Sequence, residues 1–151
     1  MEMNNAGEKR LTMRIALDPG AYLPERAHPT DAGLDLRTPI RVVLWPMESV
    51  AIDTGVHIEL PHGFFGKIES KSGLNVNHNI VSCGGVIDEG YTGSIVVKLY
   101  NLGWDLYIFE AGDKLAQLII QPYAASEMYL VALGDFDDTE RGAGGFGSSG
   151  K

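Results

Sequence analysis

The stretch CGGVIDEGYTGSIVVKLY, Cys83 to Tyr100, carries the reading that decides the fold. In its second half Ile95, Val97 and Leu99 alternate with Val96, Lys98 and Tyr100. That is the period-two pattern of a half-buried strand. In its first half Gly84-Gly85, the apolar pair Val86-Ile87 and then Asp88-Glu89-Gly90-Tyr91 read as a β-hairpin closed by a glycine-containing turn. The same alternation recurs earlier in the chain, in Met13, Ile15 and Leu17 and again in Val56, Ile58 and Leu60. Turn formers such as Pro29, Pro39, Pro46, Gly55, Gly63, Gly73, Gly90, Gly103, Gly112 and Pro122 arrive roughly every ten residues. Many short strands at that spacing predict an all-β sandwich or barrel. Only Ser72 to Asn79 has room for a helical turn, and no internal repeat is visible.

A chain of 151 residues is one domain by length, and it can bury a sizeable core. Its net charge of −8 argues against a nucleic-acid partner, because such binding rests on basic residues at phosphates. A small anionic ligand needs only local donors and stays open. A polyphosphate would bring a divalent cation to share its charge. One cysteine, Cys83, excludes an intrachain disulfide and a multi-cysteine zinc site, and it points to a cytoplasmic setting. No apolar run is long enough for a membrane span, and MEMNNAGEKR lacks the apolar segment of a signal peptide, so no membrane partner is expected. The expected division is a loose leader at 1–10, a β domain at 11–133 and a polar, Gly-rich segment at 134–151.

Several stretches break the alternation. DAGLDLRT sets Asp31 and Asp35 around a glycine at a strand entry. ESKSGLN strings together Lys71, Ser72, Gly73 and Asn75, able to aim a cation, a hydroxyl and a backbone N–H at one oxyanion. Asp88 follows two apolar residues, so a partly desolvated carboxylate able to take a proton from bound water is expected there. Gln117 sits among Leu, Ala and Ile and needs a partner, backbone or ligand, if buried. Each also reads as ordinary structure: solvated turns, a turn-capping Asp, a half-buried strand Tyr at Tyr91. Half of the ten residues of RGAGGFGSSG, Arg141 to Gly150, are glycine, which is costly to order. The segment is a frayed end, or a lid that orders over a phosphate-bearing ligand. A P-loop is not expected, because that loop joins a strand to a helix and its lysine precedes Ser or Thr.

In order, AGLDL, KSGLN, GVIDEGYTGSI, AGDKLAQLII and RGAGGFGSSG resemble the five motifs of the trimeric deoxyuridine triphosphatases (dUTPases), from about residue 11 onward. The resemblance implies a β-jelly-roll (β-clip) subunit and a homotrimer with shared active sites. It implies Mg2+-dependent hydrolysis of dUTP to dUMP and pyrophosphate, which limits uracil in DNA and supplies dUMP for thymidylate synthesis. By the same resemblance Asp88 is the carboxylate that activates the attacking water, and Tyr91 packs on the deoxyribose where a 2′-hydroxyl would sit. Gly85, Val86 and Ile87 read uracil through the main chain; Lys71, Ser72, Gly73 and Gln117 hold phosphates. Asp35 acts on the metal through water. Arg141 takes the γ-phosphate, Phe146 covers the base, and Gly147, Ser148 and Ser149 add phosphate contacts.

Three departures stand out. Lys71 replaces the usual arginine and gives up bidentate geometry. Ser82 stands where some members place an asparagine near the base, and Ser149 replaces a threonine. A dCTP deaminase of the same superfamily, and a regulator that binds a partner protein through this fold, are the competing readings.

Overall fold

The computed structural model describes residues 2–3, 9–83 and 85–144. In chain order its strands are β1 (Glu2–Met3), β2 (Lys9–Arg10), β3 (Arg14–Leu17), β4 (Gly33–Arg37), β5 (Val42–Leu44) and β6 (Ser49–Glu59). They continue with β7 (Phe64–Ser70), β8 (Ile80–Ser82), β9 (Val86–Ile87), β10 (Ser94–Asn101), β11 (Tyr107–Phe109) and β12 (Lys114–Pro122). Two four-stranded sheets, β3-β6-β10-β8 and β4-β12-β7-β9, carry the architecture; β1-β2 and β11-β5 are two-stranded. Every pairing is antiparallel. The all-β expectation holds.

The core draws on both large sheets: Val56, Ile58, Ile95, Val97 and Leu99 from one, Leu34, Leu36, Ile68, Ile87 and Leu118 from the other. Alternation delivers them, as β10 shows, where Ile95, Val97, Leu99 and Asn101 are buried and Val96 is exposed. Buried Asn101 is matched fully: its amide donates to the carbonyls of Leu44 (3.3 Å) and Asp105 (2.8 Å), and its oxygen accepts from the N–H of Gly103 (2.9 Å). The single α-helix among the described residues, α1 (Ser72–His78), falls inside the predicted window. It buries only Leu74 and ends at Asn79, whose left-handed φ of 55° suits a residue that tolerates that region.

One expectation needs correction. The segment around Asp88 is not a hairpin paired on itself. Val86-Ile87 of β9 pairs with Gly66-Lys67 of β7, while β10 joins β6 and β8 in the other sheet. The Asp88–Tyr91 turn, closed by the Tyr91 N–H on the Asp88 carbonyl at 3.0 Å, is therefore a crossing between sheets. Local turn chemistry specified the turn; the choice of strand partners was made by the core on either side.

Candidate active site

Register builds the first group. Asp35 of β4 lies opposite Gln117 of β12, which lies opposite Glu69 of β7, so the three share a face. Lys71, two residues past Glu69 with extended backbone, returns to that face. Lys114 stands an odd number of residues from Gln117 and would face away, but a bulge between Lys114 and Ala116 adds the step that turns it back. The result is a triad: Asp35 Oδ1 accepts from Lys71 Nζ at 2.6 Å, and Asp35 Oδ2 from Lys114 Nζ at 2.6 Å. The Asp35 side chain is only 4% exposed. Burial, the largest single influence, pushes its carboxyl upward, but the hydrogen bonds and positive charges of Lys114 and Lys71 together outweigh it and hold the pKa below the ordinary value.

Two ammoniums on one carboxylate leave one net positive charge, and each lysine has donors to spare. Ser72 and Gly73, the first residues of α1, are exposed beside this charge. Gln117 is half-buried over Gly33 of β4. This face can hold an anion.

The second group surrounds the crossing turn. A cavity of about 190 Å³ is lined by Ile68, Gly85, Val86, Ile87, Asp88, Tyr91, Ser94, Ile95 and Val96. Gly85 has φ +114°, and a Cβ there would lie 2.6 Å from the Ile68 Cβ. The protein's own β7 approaches this glycine closely, sealed by the Ile68 N–H on the Gly85 carbonyl at 2.8 Å. Tyr91 folds back over Gly93, where a Cβ would come within 2.5 Å of its hydroxyl, and that hydroxyl donates to the Ser94 carbonyl at 2.9 Å. Its ring, 45% exposed, forms one wall of the cavity and not a strand position.

Asp88 is exposed, which corrects the expectation of a desolvated carboxylate. Two apolar neighbours in sequence do not bury a residue on a turn that projects from the sheet. A larger hollow of about 500 Å³, sharing Val86 and Asp88 with the first cavity, is completed by Phe65, Glu89, Gly90 and Tyr123. Glu89 accepts from the Gly63 N–H (2.8 Å), His62 Nδ1 (2.8 Å) and the Tyr123 hydroxyl (2.7 Å). Those bonds, Gly63 foremost, lower its pKa to about 2.

The remaining expected residues are distributed as follows. Ser82 is tied to β7, its N–H donating to Ser70 Oγ at 2.8 Å with the two hydroxyls 3.2 Å apart. Arg141 is exposed, and its Nε donates to the Gly144 carbonyl at 3.2 Å in a local turn. Gly84, Phe146, Gly147, Ser148 and Ser149 lie outside the described residues. No residue of the lysine group lines either cavity of the turn. Sequence reading missed Lys114 and Glu89. Lys114 depends on a bulge with no local signature, and Glu89 on partners 26 and 34 positions away.

A protein-family model described as dUTPase matches residues 20–150. The deoxyuridine 5'-triphosphate nucleotidohydrolase of Clostridium kluyveri is 42% identical over 132 residues, covering 86% of this chain and 91% of its own length. That of Mus musculus is 39% identical, covering 91% and 83%. Among solved structures, a mutant Staphylococcus bacteriophage 80alpha dUTPase with dUpNHpp superposes with a TM-score of 0.86 at 32% identity, covering 93% of this chain and 99% of that one. A mutant dUTPase from phage phi11 of S. aureus, described with a structural Mg(II) ion, gives a TM-score of 0.76 at 31% identity over 83% and 99%. A match to the family model over nearly the whole length, on a fold shared with solved dUTPases, has one meaning: this chain belongs to the dUTPase family.

Proposed function

We propose that the chain is a dUTP diphosphatase. Water attacks the α-phosphorus, a P–O bond forms, the bond from that phosphorus to the α,β-bridging oxygen breaks, and dUMP and pyrophosphate leave. Asp88 takes the water's proton, a general-base contribution of ~10²–10⁴-fold. The observation that carries this reading is the 190 Å³ cavity with Asp88 on its lip. It has room for one ring, and the main chain of Gly85 to Ile87 offers both donors and acceptors to a flat base. Cytosine reverses donor and acceptor at its pairing edge and would leave those groups unmatched, a discrimination of roughly 10⁴–10⁵. Tyr91 occupies the side where a ribose 2′-hydroxyl would project.

The triphosphate falls to Lys71, Ser72, Gly73 and Gln117, with Arg141, Gly147, Ser148 and Ser149 closing from the 134–151 segment and Phe146 covering the base. Ser82, held by Ser70, is offered to the substrate from β8. Because the lysine group lies outside the turn's cavities, we assign the two halves of one site to different copies of the chain, assembled as a homotrimer. Among the described residues no cluster of three carboxylate, His or Cys side chains could cage a metal. Mg2+ would be held by the substrate phosphates and water and would offset charge on the phosphates; Asp35 would meet that water shell only once Lys71 or Lys114 turned from it to a phosphate, since both its oxygens are engaged by these lysines. A cytoplasmic setting fits the lone thiol of Cys83, and no helix among the described residues is long and apolar enough to cross a membrane.

The test is pyrophosphate release from dUTP, UTP and the four common dNTPs, with Mg2+. Turnover of dUTP alone is expected, and the Asp88→Asn variant should bind dUTP yet release none. Inert dUTP, equal cleavage of UTP, or an active variant would overturn the reading.

A further inference from the structure

The turn that carries Asp88 has little holding it. Its strand, β9, is two residues long with two partners on β7. The turn itself has one closing hydrogen bond and an exposed Gly90 at its tip. A carboxylate on so short a ladder would wander, yet water activation needs it placed to within a fraction of an ångström.

One side chain supplies the missing tie. Glu89, the neighbour of Asp88, is absent from the lining of the smaller cavity and reaches the β7–β12 end of the sheet. There the Gly63 N–H and the Tyr123 hydroxyl both reach its Oε2, at 2.8 and 2.7 Å. That end is itself rigid, with Phe64 paired to Pro122 and the Tyr123 N–H on the Gly63 carbonyl at 3.0 Å. His62 also touches Glu89, but its side chain is 96% exposed, so that ion pair adds little. Two neutral donors on a carboxylate are the stronger grip.

We infer that Glu89 is a positioning residue, bolting the Asp88–Tyr91 turn to the β7–β12 ladder through Gly63 and Tyr123 so that Asp88 is held at the reacting phosphorus. The inference rests on the proposed hydrolysis for its catalytic meaning, but the bolt itself is a property of the chain without substrate.

The experiment uses the full chain with Glu89→Ala, Glu89→Gln and Tyr123→Phe. Three quantities are read: kcat and KM for dUTP, amide hydrogen exchange of residues 86–92, and Tm. The expected result for Glu89→Ala is a kcat lower by ~10–100-fold with KM moved by less than ~3-fold. Exchange should be faster at residues 86–92 and unchanged along β7 and β12. Tyr123→Phe, which removes a single oxygen, should shift both readings the same way by less, and Glu89→Gln should recover part of the loss. If Glu89→Ala does not fold, Tyr123→Phe carries the same two readings. A kcat within about twofold of the parent, or a kcat loss without faster exchange at 86–92, overturns the inference. If the parent releases no pyrophosphate from dUTP, the proposed reaction is what has failed, and the exchange comparison alone decides the bolt: unchanged protection overturns it.

Discussion

At the scale of single residues the decisive feature is a carboxylate shared by two lysines. Asp35 is almost fully buried, and a carboxylate so placed is tolerable only because Lys71 and Lys114 each put an ammonium on it at 2.6 Å. The trio explains how a lysine can stand where the family more often has arginine. Lys71 lacks a planar fork, but Asp35 fixes its direction, so a point charge is delivered with restricted aim. The arrangement has a measurable cost when broken. Asp35→Asn keeps the shape and leaves two cations facing each other without a counter-charge, so a loss of about 3–5 kcal/mol is expected from denaturant unfolding. Lys114→Met removes only the more exposed of the two ammoniums and should cost clearly less. Equal losses in the two variants would mean that the triad is not centred on Asp35.

At the scale of elements, β9 and its turn matter more than their two residues of regular structure suggest. The Ile68 side chain fills the space beside Gly85, whose φ of +114° already disfavours any other residue. Gly85→Ala should therefore destabilise the chain by roughly 1–3 kcal/mol through overpacking alone. It should also raise KM for dUTP, since the displaced main chain is the proposed reader of the base. A KM at the parent value with reduced Tm would make Gly85 a packing residue only. The same element shows where sequence reading stops. Strands β6 and β10 were legible because one face of each is buried, which writes period two into the chain; β3 shows the same alternation, but in it only Ile15 is half-buried and Leu17 is exposed; α1 was legible because its window is polar between turns. Asp88, Tyr91, Lys71 and Gln117 were legible as residue types out of keeping with their surroundings. The partner of β9, the bulge that turns Lys114 inward and the grip of Tyr123 on Glu89 were not. Each is fixed by residues distant in the chain, or by one extra residue in a ladder, and neither leaves a periodic trace.

At the scale of the whole molecule, an acidic chain must collect an acidic substrate, so its few cations have to be concentrated and then closed over. Beyond β12 the chain leaves the core: residues 124–143 are exposed, with Met128, Tyr129 and Leu130 at 95, 85 and 100%. Three consecutive large apolar residues in water need cover, and in the proposed trimer that cover is a neighbouring copy. The residues that follow make a different kind of contact. From Leu133 to Gly144 the hydrogen bonds are local ones, such as Phe136 to Leu133, Gly142 to Thr139 and Gly144 to Arg141. Among the described residues, deleting 134–151 thus removes no hydrogen bond to any strand, only the local ones to Ala132 and Leu133, while the apolar run at 128–131 stays. The expectation is a sharp separation of readouts. Truncation after Leu133 should leave the circular dichroism spectrum and Tm close to the parent's, and light scattering should still give the mass of three chains, each now shorter than the 16.4 kDa parent. Turnover of dUTP should fall by ~10²-fold or more, because Arg141, Phe146 and the serines would no longer exclude water from the phosphates. Parental kcat in the truncated chain would remove the lid from the mechanism. A truncated chain that is monomeric but otherwise folded would show that the segment past Leu133, and not the apolar run before it, holds the copies together.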